Sequence, residues 1–275
     1  MYIINKTISV FKRFAWFKRF NARITYQVLA KYIPSADWHF MNYGYVPDAE
    51  ERHSNVPPFN VKHQHQPAAM YHYLACKVPV TGKVVLEVGS GRGGGASYVA
   101  NHFRPKQYIA VDIASSAVAL ANKFHSTASL RFVQGSGEHL LIQDDSIDIV
   151  MNVESSHGYG DVAKFLSEVK RVLRPGGHLL LVDFRNSLAN MAIFSQQLLD
   201  SGMILLSKEN ISTKVVRAIE LDDDSKTSTI KRLVPRRYQR VFSDFAGVVG
   251  SRFYNTLKDG TRPYCRFVLQ KQTPS

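Results

Sequence analysis

Cysteine is almost absent from this sequence: Cys76 and Cys265 stand far apart, with no Cys-x-x-Cys pair. That argues against a disulfide framework or a cysteine zinc site. It fits a reducing, cytoplasmic compartment, with both residues expected to be plain buried thiols. The N-terminal stretch has no uninterrupted apolar run, so it reads neither as a secretory signal nor as a bilayer-spanning helix. Residues 1–36 contain no Asp or Glu. The chain shows no internal repeat, no low-complexity tract and no appended RNA-binding module. His63, His65 and His72 cluster in sequence, but no matching set of acids accompanies them. Exposed histidines and no metal site are therefore expected.

What is present is a chain of 275 residues, 45% of them hydrophobic, enough for one large α/β domain or two small ones. The formal net charge is +13 and unevenly spread. Lys6, Lys12, Arg13, Lys18, Arg19, Arg23 and Lys31 crowd the acid-free start, and Lys231, Arg232, Arg236, Arg237 and Arg240 form a second run. Such asymmetry points to an anionic partner: nucleic acid, a membrane surface or an acidic substrate. Within residues 10–28, Phe14, Phe17, Phe20, Ile24 and Val28 recur at helical spacing and make one apolar stripe on a basic helix. Two readings stand: a helix lying in a membrane interface, or one packing its aromatics on the domain. A mitochondrial presequence also fits the composition.

Residues 34–68 are proline-rich and read as an irregular leader with short helices. From about Met70 the pattern becomes regular. Strands are expected at 84–88, 108–112, 130–134, 147–153 and 179–182. Helices are expected from about Ala96, at 115–124 and at 162–173, the last ending at Pro175-Gly176-Gly177. This alternation implies a parallel sheet covered on both faces. Residues 186–246 break it and read as an inserted lid before last strands near 247–252 and 264–270. The domain expectation is an extension and cap over 1–69 and a catalytic domain over 70–275.

Leu86-Glu87-Val88-Gly89-Ser90-Gly91-Arg92-Gly93-Gly94-Gly95 sets glycines at a strand-to-helix turn, where a ligand can lie against the backbone. As a G-x-G-x-x-G match it is compatible with a dinucleotide. Glu87 opposes that reading, because a carboxylate repels pyrophosphate but suits a cationic sulfonium ligand bearing an ammonium group. Asp112, closing the next strand, can accept both hydroxyls of a ribose, whichever nucleoside is bound.

The glycine turn with Asp112, the strand Ile147-Asp148-Ile149-Val150-Met151-Asn152-Val153-Glu154, and Val172-Leu173-Arg174-Pro175-Gly176-Gly177 resemble successive motifs of class I S-adenosylmethionine (SAM) methyltransferases. A narrower resemblance runs over most of the chain. Phe40-Met41-Asn42-Tyr43-Gly44-Tyr45, the glycine turn with Ala96-Ser97-Tyr98, Asn152-Val153-Glu154-Ser155-Ser156-His157 and residues 250–269 are similar to the mycobacterial phthiotriol/phenolphthiotriol dimycocerosate O-methyltransferases. The resemblance implies a Rossmann-like α/β fold with a mostly parallel seven-stranded sheet. It also implies SAM as cofactor, and methyl transfer to a hydroxyl on a lipid-like or polyketide natural product. The sequence departs from the family at Ser136, where an acid usually contacts adenine. Gly158 and Gly160 replace the usual Cys and Pro.

The expected cofactor-binding residues are Tyr43, Glu87, Gly89, Gly91, Gly93, Asp112, Ile113, Gly137, Glu138 and Asn152. Glu154 and His157 follow the fourth strand, where ligands sit in open α/β sheets. His157 is the expected general base, since histidine ordinarily titrates near 6.5. Glu154 is expected to orient His157 or to bind the methionine end of SAM. Tyr43 and Tyr45 are expected to close over the cofactor. The alternative activity is C- or N-methyl transfer to a sterol, quinone precursor or amine. Nucleic-acid modification is the weakest reading, because Asn152-Val153-Glu154-Ser155 is not the Asn/Asp-Pro-Pro-Tyr/Phe type of many base methyltransferases.

Overall fold

The computed structural model describes residues 39–48 and 64–273. The basic helix expected at 10–28, most of the 1–69 extension and His63 lie outside the described residues. After helix α1 (His65–Ala75), strands and helices alternate: β1 (Val84–Val88), α2 (Gly94–Phe103), β2 (Gln107–Asp112), α3 (Ser115–His125), β3 (Leu130–Gln134), β4 (Ile147–Val153), α4 (Val162–Val172) and β5 (Leu173–Phe184). Then follow α5 (Leu188–Asp200), β6 (Ile204–Asn210), α6 (Ser212–Leu233), α7 (Gln239–Ala246), α8 (Arg252–Lys258) and β7 (Tyr264–Gln270).

The seven strands form one sheet in the order β3-β2-β1-β4-β5-β7-β6. β1 to β5 pair in parallel, and β7 runs antiparallel to both β5 and β6. This is the Rossmann-like class I methyltransferase arrangement. The order reverses between β1 and β4, which places a ligand crevice at their carboxyl ends.

Period-two alternation sorts the strand side chains into two cores. Val85, Ile149, Met151, Val153, Leu180 and Val182 face one side and pack with residues of α1 and α2. Leu86, Val88, Val150, Leu179 and Leu181 face the other, and the irregularity between Ile147 and Ile149 turns Ile147 to this side as well. There α4 presents Phe165, Leu166, Val169 and Val172, an i, i+1, i+4, i+7 stripe, and its N-cap Asp161 accepts from the Lys164 amide.

The C-terminal part corrects the sequence reading. No strand forms at 247–252, which is turn and the start of α8. The strand that completes the sheet is β6, inside the segment expected to be a lid, and α5 precedes it. After β6 the chain forms a helical segment, α6, α7 and α8. Its small apolar core, Ile230, Val234, Phe242, Ala246 and Val248, packs against Met41. Pro175-Gly176-Gly177 does not separate α4 from a later strand. Leu173 already pairs with Ile147, and the ladder resumes at His178 against Ile149, so the glycines bulge out of β5. Two side chains also differ from expectation. Cys76 is exposed, and His72 is buried, its Nδ1 2.7 Å from the Tyr98 hydroxyl.

Candidate active site

The glycine turn joins β1 to α2 and needs its glycines for two separate reasons. Gly89, Gly91 and Gly93 all have positive φ, a region costly for other residues. Gly95 has no room for a Cβ, because the Tyr71 ring occupies that space. The Gly91 amide donates to Asp112 Oδ2 (2.7 Å) and the Ala114 amide to Asp112 Oδ1 (2.8 Å), so Asp112 is locked beside the turn. Burial raises its pKa, and these amide bonds partly offset the rise.

A cleft at this turn is lined by His39, Phe40, Met41, Asn42, Tyr71, Gly89, Ser90, Gly91, Gly95, Val153 and Glu154. Two buried polar atoms at the strand ends have no hydrogen-bond partner, Ser90 Oγ and Asn152 Oδ1. Asn152 Nδ2 donates to the Val88 carbonyl (2.9 Å), which can only accept; this fixes the amide and leaves Oδ1 spare. A buried acceptor without a donor is costly, so both atoms fit a polar ligand. A nucleoside with an ammonium-bearing tail matches Asp112 and these acceptors.

The other expected cofactor residues divide. Tyr43 reaches the site through its backbone: its amide donates to Glu154 Oε1 (2.8 Å), while its ring stacks on Phe253. Glu87 is fully buried beneath the turn, accepting from Tyr71 Oη (2.7 Å) and Tyr108 Oη (2.8 Å). Burial pushes it up to about 7. It does not line the cleft, although Tyr71, which donates to it, does. Gly137 lies against Val88, where a Cβ would approach to 2.8 Å. Glu138 Oε1 holds the 160–161 loop through the Gly160 (2.8 Å) and Asp161 (3.2 Å) amides. Ile113 is half-buried next to Asp112. Tyr45 does not close over the cleft; it is buried and stacked on Tyr73.

Glu154 and His157 do not work as a pair. Glu154 has a φ of 48°, is buried, and accepts from Tyr264 Oη as well as from Tyr43. Burial pushes it up to about 8. The group that orients His157 is Asp183, at the end of β5, which the sequence reading missed. Its Oδ1 lies 2.8 Å from His157 Nδ1, and its Oδ2 accepts from the His157 amide (2.9 Å) and from Ser156 Oγ (2.6 Å). Burial alone would raise Asp183. The charges of His157 and Arg185 and the bonds from His157 and Ser156 overcome that and hold it below the usual carboxylate range. An ionised carboxylate only accepts, so Nδ1 carries a proton towards Asp183, and in the neutral imidazole the lone pair then falls on Nε2. The His157 side chain is 36% exposed.

A second, larger cavity of about 380 Å³ adjoins the cleft. Phe40, Met41 and Asn42 line both spaces. Its far wall is α6 and α7, and Tyr43 Oη ties that wall to the leader by donating to the Phe245 carbonyl (3.0 Å). His157 lines neither space. It is one ring removed, because Phe184 packs on both His157 and Tyr43. Among the described residues no cluster of His, Cys, Asp or Glu has metal-binding geometry.

Comparison with known proteins identifies the family. A family profile described as Methyltransferase domain matches residues 86–181. A fatty-acid O-methyltransferase of Mycolicibacterium smegmatis is 33% identical over 280 aligned residues, 97% of each chain. The chain belongs to the class I, SAM-dependent methyltransferases. A phthiotriol/phenolphthiotriol dimycocerosates methyltransferase of Mycobacterium ulcerans is 38% identical over 74% of this chain and 73% of its own. Among solved structures, the geranyl diphosphate C-methyltransferase of Streptomyces coelicolor A3(2) shares the fold. It aligns with a TM-score of 0.67 at 14% identity, over 92% of this chain and 97% of that one. Its crystals hold S-adenosyl-L-homocysteine.

Proposed function

We propose that this methyltransferase acts on an oxygen of a hydrophobic, lipid-like acceptor. The observation that carries the reading is the His157–Asp183 pair, an imidazole whose free Nε2 is set to accept a proton. When bound, SAM supplies an electrophilic methyl group. The chain's own residues do the rest. Asp112 and the 89–91 turn hold the nucleoside, and Ser90 and Asn152 offer acceptors to its amino-acid end. His157 takes the proton of an acceptor hydroxyl as its oxygen gains the methyl, and Asp183 balances the resulting imidazolium. Phe40, Met41, Tyr43, Phe245 and Ala246 give the adjoining cavity apolar surface for a lipid chain. The relatives named for fatty acids and phthiotriols support a lipid acceptor.

In this reading α6 to α8 act as a lid, and the protein meets its acceptor at a membrane surface through its basic, aromatic N-terminal stretch. No helix among the described residues is long and apolar enough to cross a membrane. Incubation with methyl-labelled SAM and a panel of long-chain alcohols, acids, sterols and amines tests the proposal. Label in an ester or ether is expected. Label in an acid-stable C–CH₃ or N–CH₃ group refutes it. His157→Ala should cut turnover of an alcohol about 10²-fold or more with SAM affinity unchanged.

A further inference from the structure

Helix α6 turns one face to the large cavity: Asp222, Ser225, Lys226, Thr229 and Arg232 recur at helical spacing and all line it. Among them Lys226 is unlike an ordinary surface lysine. Its Nζ is sealed from solvent and has no hydrogen-bond partner. Burial lowers its pKa, and the acids that oppose this, Asp222, Glu154 and Asp223, act through space only. A buried ammonium with three unused donors is costly unless an acceptor meets it, and such groups in proteins are almost always paired.

The cavity determines what that acceptor is. Its volume of about 380 Å³ lies in the range of sites for small organic ligands. Phe40, Met41, Phe245 and Ala246 give it apolar wall. On the α6 face two cations, Lys226 and Arg232, stand against one acid, Asp222. Burial pushes Asp222 up to about 6, which weakens its hold as a counter-ion. Lys226 also acts electrostatically on Glu154, which lines the cofactor cleft.

We propose that Lys226 is a specificity-determining residue that pairs with the carboxylate of an acidic lipid seated in the cavity between residues 40–43 and helix α6. The inference rests on the lipid-acceptor reading above and names its class: a chain that carries an anionic head, whether or not it also carries the hydroxyl that is methylated. It concerns binding alone, and is independent of which oxygen receives the methyl and of His157.

The test is equilibrium binding of decanoate, 1-decanol and methyl decanoate to the full chain, by calorimetry, with no SAM present. Decanoate is expected to bind about tenfold or more tighter than the two neutral chains, the worth of one charge-assisted hydrogen bond. Lys226→Met should abolish that preference while leaving the neutral chains unchanged, and Lys226→Arg should retain most of it. Equal binding of acid and alcohol to the wild type overturns the proposal without any variant. So does an undiminished preference in a folded Lys226→Met protein. Because the readout involves no methyl transfer, failure of the O-transfer reading would leave it intact and appear only in the labelling experiment.

Discussion

Replacing Asp183 by Asn tests the base assignment most directly, because it removes one charge and little shape. The carboxylate is fully buried and sits 2.8 Å from the imidazole it orients. When His157 takes a proton, the new positive charge lies about 4 Å from the centre of that carboxylate. At an effective dielectric near 20 this attraction is worth about 4 kcal/mol. At about 1.4 kcal/mol per tenfold, that bounds the loss at roughly 10³ in turnover, and some relaxation brings the expectation to about 10² to 10³. The substitution also costs stability, since Oδ1 accepts from Phe184 N and Oδ2 from His157 N and Ser156 Oγ. An amide NH₂ must face one of those donors, at about 1–3 kcal/mol. Initial rates with labelled SAM should therefore be measured where melting curves show the variant folded. SAM affinity should hold, and the Asp183→Asn/His157→Ala double variant should be no slower than His157→Ala alone. Turnover of an alcohol acceptor within about threefold of wild type, in a folded variant, would remove the base role from this pair.

Glu154 yields a prediction about pH. It keeps its proton up to about 8 when folded, against an ordinary 4.5, so the unfolded chain loses that proton first. The stability tied to this proton is complete below about 4.5 and is lost as pH rises through 8. Glu154→Gln keeps an oxygen for Tyr43 N and Tyr264 Oη, so its melting temperature should gain steadily on wild type from about pH 5 to about pH 8. Parallel melting curves across that window would refute the assignment. At the glycine turn, Gly95→Ala forces a methyl into the Tyr71 ring and should cost about 3 kcal/mol or more in urea unfolding. Gly82→Ala meets open space and should cost only its positive-φ strain, about 1–2 kcal/mol. Equal losses in the two variants would show that packing against Tyr71 is not what the turn requires.

The parallel half of the sheet was legible because its strands are short apolar runs closed by glycines or acids, and two-sided burial demands that composition. β6 was not. It is an edge strand, its residues alternate between exposed and half-buried, and Lys208, Glu209 and Asn210 make its end polar. The site was legible where one segment carries it, as in the 89–95 turn. It failed where two strands meet in space. Asp183 stands 26 residues from His157 in the chain, and only the β4–β5 pairing brings them together. The signal was available, because an acid closes β5 as Asp112 closes β2. For a related reason, the place of Glu87 in its strand shows that it nears the turn, but not that Tyr71 and Tyr108 hold it there. Lys226 was hidden within a polar helix whose faces cannot be told apart until it is packed.

Phe40, Met41 and Asn42 are a partition with a ligand space on either side. Any shift of those three side chains on filling one chamber alters the other, and thermodynamic linkage makes the effect mutual: the factor by which the first ligand changes the affinity of the second equals the reverse factor. Acceptor affinity measured with and without the cofactor, and cofactor affinity measured with and without the acceptor, would then report one coupling free energy, held in a wall three residues long.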